Sequence, residues 1–434
     1  MQAEPQHATI RRTSPLRYAI GMFGTSIPIN MFKAYAMDFY VVKLGLSAPN
    51  YALILFLYTF VDAIDNPVYG FLSDRTRTKW GRRRPWLILG APLLALAFIL
   101  FYNPPALSGQ TPLFVYMLLT YILTGTLDSL INANYGALFP ELFTGDAVRA
   151  KTNAMRQGFQ LVAMVISLAL TPVVAGAIGY ANTAIIYSLL AVAVILFCAT
   201  GCRENLQIQE TQKPPLWGSI KALAANPHFW VFGLCNAFYS AAMALVLQSV
   251  PLYVTYSLAL GDAAKMILQG SVLLLAVLSM AVWSIFIRRF TLMKTWRGAL
   301  ILLGLAFLPL YFMNSLVGAI IASAFVGLGM AGVMATMDLI GARIMDEDTR
   351  KFGLRREGIY SSAMGVLNRC SGLFVSLGIL LASRLYGFES GQVPGSDPGS
   401  AARFLLSLFP AAAMVVSCVF SWFLKFREED TVPR

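Results

Sequence analysis

Residues 62–67 read DAIDNP: two carboxylates, an amide and a proline inside a stretch, Tyr51 to Leu72, that is otherwise apolar. Successive helical residues turn by about 100°, which sets Asn66 about 40° from Asp62 and Asp65 about 60° to the other side. Asp62, Asp65 and Asn66 can therefore face one cavity. Pro67 has no N–H, so the carbonyl of Ala63 loses its helical partner. Carboxylates beside a free carbonyl outline a hard-oxygen cation site. The same carboxylate, desolvated, can instead carry a proton. The plainer alternative is a structural acid paired with a base on a neighbouring helix.

Other apolar runs carry polar groups too. Ser26, Asn30, Lys33 and Asp38 lie in the first run, and Asp128, Asn132, Asn134 and Tyr135 in the fourth. Arg156 lies toward the inner end of the fifth, Gln248 in the seventh, Asn368 and Arg369 in the eleventh. Asn30, Asp62, Asp128 and Arg369 fall near the centres of their runs. An ionisable group in a bilayer span costs a few kcal/mol and marks function by default. Equal depth predicts one central polar cavity. Lys33 is also placed to neutralise an acid of the second run. A helix–helix hydrogen bond accounts for Gln248 equally well.

The elements that position these groups are membrane spans. Of 434 residues 57% are hydrophobic and 12% charged, against about 25% charged in a soluble domain. Twelve apolar runs are legible, at about 17–44, 51–73, 85–104, 112–139, 152–176, 181–201, 228–257, 266–288, 297–313, 315–342, 357–385 and 402–425. Cations crowd alternate loops: Arg75, Arg77, Lys79, Arg82, Arg83 and Arg84 in the first, while 104–112 and 176–184 hold no charge. By the positive-inside rule the basic loops and both termini face the cytoplasm. Trp80, Trp86, Trp283 and Trp296 flank two basic loops, as interfacial tryptophans do. The +12 charge is thus accounted for by topology, and no nucleic-acid partner is expected.

Six runs, a polar connector and six more runs predict an all-α membrane protein of two pseudo-symmetric six-helix bundles. The expected divisions are a tail 1–16, a bundle 17–201, a connector 202–227, a bundle 228–425 and a tail 426–434. Trp217, Ile220 and Leu223 allow a surface helix in the connector. "TKWGRR" at 78–83 and "KTWRG" at 294–298 echo each other half a chain apart, as in transporters built from parallel repeats. Five cysteines show no paired spacing and two histidines cannot build a metal centre. No nucleophile–base set or phosphate loop is present, so no enzyme activity and no cofactor is expected.

"GFLSDRTRTKWGRRRP", "DAIDNP", "NANYGALFPELFTGDAVRAKTN" and "RREGIYSSAMGVLNRCSG" together resemble motifs of the glycoside–pentoside–hexuronide:cation symporters of the major facilitator superfamily, in the right order along the chain. The resemblance implies the major facilitator fold and places Asp62 at the first cation-site acid. Asn66 stands where a second acid is usual, with Asp65 one residue earlier. That departure makes H⁺ the expected coupling ion over Na⁺ at Asp62. Ser26 and Asn132 stand where the family has sugar-binding acids, Asp128 lies one turn from Asn132, Arg156 matches a fifth-helix arginine, and Arg369 replaces a lysine.

The resulting expectation is cation-coupled symport of a sugar or glycoside by alternating access. Asp62, Asp65 and Asn66 would couple the cation. Ser26, Asn30, Lys33, Asp128, Asn132, Tyr135, Arg156, Asn368 and Arg369 would surround substrate. Asp74, Arg75, Arg82, Arg83, Arg84, Glu141 and Arg149 would gate the cytoplasmic side. A lysophospholipid or other organic solute is the alternative cargo, since related animal lysophospholipid transporters share the wider pattern. A non-transporting membrane sensor or assembly factor is the alternative from another class. The setting is a multi-pass monomer in the plasma membrane, or the inner membrane of a Gram-negative cell, with the lipid bilayer and a small molecule as partners.

Overall fold

The computed structural model describes residues 13–143, 146–204, 225–352 and 357–425. The proposed surface helix of the connector, residues 1–12 of the first tail, the second tail, and the side chains of Asn66, Pro67 and Asp74 lie outside what it describes. A short turn α1 (Pro15–Ala19) leads into α2 (Gly21–Met37), α3 (Ala48–Arg75), α4 (Arg84–Tyr102), α5 (Gln110–Leu142), α6 (Asp146–Met164) and α7 (Thr171–Gly201). Then come α8 (Pro227–Leu252), α9 (Asp262–Arg289), α10 (Leu292–Phe312), α11 (Leu316–Phe352), α12 (Glu357–Arg369), α13 (Ser371–Tyr386), α14 (Pro398–Arg403) and α15 (Phe409–Phe423). No sheet is present among the described residues. Nine stretches there are long and apolar enough to cross a bilayer. Large apolar side chains such as Leu89, Phe312 and Phe423 point outward, because lipid is their solvent.

Helix boundaries depart from the apolar runs where polar atoms intervene. The expected charge-free loop at 176–184 is a bend: Gly179 has φ 85 and ψ 157 inside α7. The eleventh run divides at Cys370, whose N–H bonds the carbonyls of both Val366 and Leu367. That break follows Arg369 directly. Two tryptophans expected at the membrane surface are instead buried. Trp296 is fully enclosed, and Trp283 donates to the Leu328 carbonyl (2.8 Å). Burial with a paired indole N–H outweighs the interfacial preference at Trp283, whereas the buried Trp296 indole N–H has no hydrogen-bond partner among the described residues.

The two parts of the chain repeat their internal contacts. Tyr40, in a π-helical turn after α2, donates to the Phe101 carbonyl at the end of α4 (2.7 Å). Tyr253, in the matching turn after α8, donates to the Leu310 and Met313 carbonyls at the end of α10. Arg84 at the start of α4 binds the Ala199 carbonyl near the end of α7 (2.8 Å). Arg297 near the start of α10 binds the Ser421 and Leu424 carbonyls at the end of α15. Cations on helix C-termini satisfy orphan carbonyls and oppose the helix dipole.

First-part and second-part helices meet tightly at the end opposite the basic loops. The Gly391 N–H bonds the Val41 carbonyl (2.9 Å), the Ala48 N–H the Glu389 carbonyl (2.6 Å) and Ser376 the Ala52 carbonyl (2.6 Å). Tyr51 donates to Gln248 (2.8 Å), the helix–helix bond expected of that glutamine. Asp38, buried at 1% exposure, accepts from Tyr180 (2.6 Å) and faces Lys265 (3.5 Å), which also pairs with Asp262 (3.0 Å).

Candidate functional site

A polar cavity of about 420 Å³ lies between α2, α3, α5, α8, α12 and α13. Asp62 and Asp128 supply its carboxylates, Lys33 and Arg369 its cations, and Asn368 and Gln248 its amides. Phe32, Tyr58 and Tyr121 give it aromatic walls. An enclosed site with rings and a few convergent polar groups is the usual form of a small-molecule site.

Asp62 is the centre of the polar network. Arg369 Nη1 lies 2.6 Å from its Oδ1 and also donates to its main-chain carbonyl. Tyr58 (3.2 Å) and Ser129 (3.3 Å) donate to the same carboxylate oxygen, and Arg369 Nη2 reaches Ser129 (3.3 Å). The guanidinium thus holds the charge and one backbone acceptor of the acid together. The Tyr58 hydroxyl fits because Gly125 faces it: a Cβ there would lie 2.1 Å from the hydroxyl oxygen.

Asp65 does not join this network. It turns toward α5 and accepts from Thr126 (2.9 Å). Asp128 accepts from Asn132 one turn on (2.6 Å), so Asn132 acts on the cavity through Asp128 and is not itself on its wall. Lys33 is exposed on the wall with no carboxylate within ion-pair distance among the described residues. Arg369, not Lys33, neutralises the acid of α3.

Ser26, Asn30, Tyr135 and Arg156 lie off the cavity wall. Ser26 is buried and Asn30 half-buried on α2. Tyr135 stacks on Tyr18 with centroids 4.7 Å apart, and each hydroxyl bonds the other's carbonyl. The Arg156 guanidinium sits 5.5 Å from the Tyr135 ring and 5.1 Å from Phe139, a cation held by ring faces.

The basic loop forms its own structure. Glu141 on α5 takes Arg83 Nε (2.8 Å) and the Arg82 guanidinium. Glu204, past the end of α7, accepts the main-chain N–H groups of Arg82 (2.8 Å), Arg83 (3.0 Å) and Arg84 (2.9 Å). It thus caps the N-terminus of α4. Gly81, at φ 108, lets that carboxylate approach, since a Cβ would meet it at 2.5 Å. Arg149 binds the Phe143 carbonyl (2.8 Å). Arg75 closes α3, with its side chain exposed.

Sequence reasoning missed Tyr58, Ser129, Thr126, Glu204 and Lys265. Hydroxyls within apolar runs are too common to single out. A lone glutamate beyond a span, or a lysine near a span end, gives no pattern.

The chain was compared with known proteins. It is 26% identical over 388 residues to the isoprimeverose transporter of Lactiplantibacillus pentosus, covering 84% of this chain and 80% of the relative. It is 25% identical to the putative 2,3-dihydroxypropane-1-sulfonate exporter of Escherichia coli K12, covering 93% and 90%. The crystal structure of the nucleoside transporter NupG superposes with a TM-score of 0.69 at 12% identity, covering 95% of this chain and 99% of that one. These relatives are transporters, not enzymes, and multiple apolar helices of this kind belong to a multi-pass plasma-membrane protein. Residues 17–428 match the family described as MFS/sugar transport protein, and the chain belongs to it.

Proposed function

We propose that the protein is a proton-coupled symporter that moves a sugar or glycoside by alternating access. The observation that carries this reading is the Asp62–Arg369 pair on the wall of a cavity otherwise suited to a polyol. An unpaired carboxylate resists a dry, occluded passage. Protonation of Asp62 would free Arg369 for substrate, and substrate would then hold Arg369 away. Sodium is the weaker alternative: the guanidinium already occupies one carboxylate oxygen of Asp62 and its main-chain carbonyl, two of the oxygens a hard cation would use there.

In this reading the membrane part comprises twelve spans in two six-helix bundles, 17–201 and 228–425, with both termini cytoplasmic. Dividing the Lys151–Gly201 stretch at Gly179 and adding α2 and α3 to the nine apolar stretches supports twelve. The basic loops then face the cytoplasm, and the Asp38–Lys265 contact seals the outer face.

Uptake into proteoliposomes of a glycoside panel, under an imposed proton or sodium gradient, tests the proposal. Proton-driven accumulation that disappears in Asp62→Asn is expected. Accumulation that survives that substitution removes the coupling role. A second reading, an anionic organic solute, is favoured by Lys33, which has no carboxylate partner in the cavity. Competition of uptake by sulfonates but not by neutral glycosides would select it.

A further inference from the structure

A second cavity, of about 330 Å³, lies wholly among second-part helices. Its walls come from α8, α11 and α12, and it touches the Asp62 cavity only through Gly365 and Asn368, which line both. At that junction Asn236 donates to Asn368 (2.5 Å), which engages one donor and one acceptor of the two amides. Beyond them the lining is apolar and soft: Phe229, Phe232 and Tyr360 with Met337, Met345 and Met364. Among the described residues one charged group faces this space. Asp338 lines the cavity and has no ion pair or hydrogen bond among the described residues.

Asp338 is exposed on the cavity wall, close to the end of the 315–342 apolar run, so its carboxylate is accessible to an occupant. The mechanism above does not use it. We propose that this cavity binds a monovalent organic cation, an alkyl- or arylammonium, with the positive head on Asp338 and the apolar body against the rings and thioethers. Three features of the lining select that class. A hard metal ion needs several oxygen ligands, and here one carboxylate faces a lining made mostly of carbon and sulfur, with the two amides at the junction. A sugar needs many hydrogen-bond partners, and this lining offers few beside two amides that already share one bond. An ammonium with an apolar body needs one anion and polarisable walls, which aromatic rings and methionines supply. Gly365 leaves open space at the junction, so an occupant here would border the route out of the central cavity. Such a cation would act as cargo or as a blocker of that route.

Phenyltrimethylammonium and its uncharged carbon isostere tert-butylbenzene are suitable probes. Binding to the purified full chain is measured by calorimetry, and folding by thermal melting. Saturable binding of the ammonium, weakened at least about tenfold in Asp338→Asn with an unchanged melting temperature, is expected. Binding of tert-butylbenzene as tightly as the ammonium, or unaltered ammonium binding in Asp338→Asn, overturns the proposal. If Asp338→Asn lowers the melting temperature, Asp338→Glu decides instead. Retained ammonium binding in that variant is expected, and its loss counts against the site. None of these readouts requires transport, so the site stands or falls separately from the symport reading.

Discussion

At the scale of single residues, the Asp62 carboxylate is closely partnered. Asp62 has a guanidinium at 2.6 Å and two hydroxyl donors, with both charged side chains mostly buried. Removing one partner of such a pair costs more than the pair contributes, because the other charge stays behind undissolved. Arg369→Leu should therefore lower stability by about 3 kcal/mol and abolish uptake. The double variant Asp62→Asn with Arg369→Leu should regain most of the stability but not gradient-driven accumulation. Thermal melts beside proteoliposome uptake separate the two effects. Recovery of accumulation in the double variant would show that the pair is structural only. DAIDNP pointed to the acid because a carboxylate in an apolar run is rare. It did not point to Arg369 as the partner, since that contact joins residues 307 positions apart.

Whole elements carry the next set of consequences. The approach of α3 to α5 depends on Gly125, which leaves room for the Tyr58 hydroxyl. Gly125→Ala should push that hydroxyl off Asp62 and lower uptake several-fold, while Tyr58→Phe, which removes only the donor, should cost about 1 kcal/mol. Uptake and melting temperature for the two variants distinguish crowding from a lost hydrogen bond. Past the Gly387 turn that ends α13, Asp397 caps the short helix α14 by accepting the Ser400 N–H (3.0 Å). The hydrogen bonds from Ser400 hold its pKa below the ordinary 3.8. A lowered folded pKa means that the cap stabilises fully above the unfolded value and is lost as pH falls through the folded one. Asp397→Ala should cost about 1 kcal/mol near neutrality, and the difference from wild type should shrink in melts as pH falls below the ordinary 3.8. A difference that persists in acid would mean that the carboxylate is not the cap.

For the molecule as a whole, the question is which end opens. The described contacts between the two parts of the chain gather at the end opposite the basic loops, with Asp38 and Lys265 buried there. Lys265→Met would strand the Asp38 carboxylate beside Tyr180, so the closed end opposite the basic loops should weaken and the melting temperature fall. Adding Asp38→Asn should restore it, because two neutral groups need no ion pair. Sidedness has its own check. With the native cysteines replaced, a cysteine at exposed Arg77 should react with an impermeant maleimide only after the membrane is opened, and one at exposed Ser396 should react in intact cells. The reverse pattern would invert the proposed topology.

Much of the architecture is legible from the chain alone. Hydropathy marks the apolar stretches, and alternate basic loops order them, because lipid demands long helices with every backbone group paired internally. Rare mid-run charges marked Asp62, Asp128 and Arg369 for the same energetic reason. The tertiary structure decided what that cost cannot specify: which charges meet. Asp65 turned to Thr126, Tyr135 and Arg156 to an aromatic cage away from the cavity, and Arg369 to Asp62. A period along one helix says which residues share a face. Only the packing of distant helices says what that face meets, and electrostatic pairing in a medium of low dielectric depends on separations of a few ångströms.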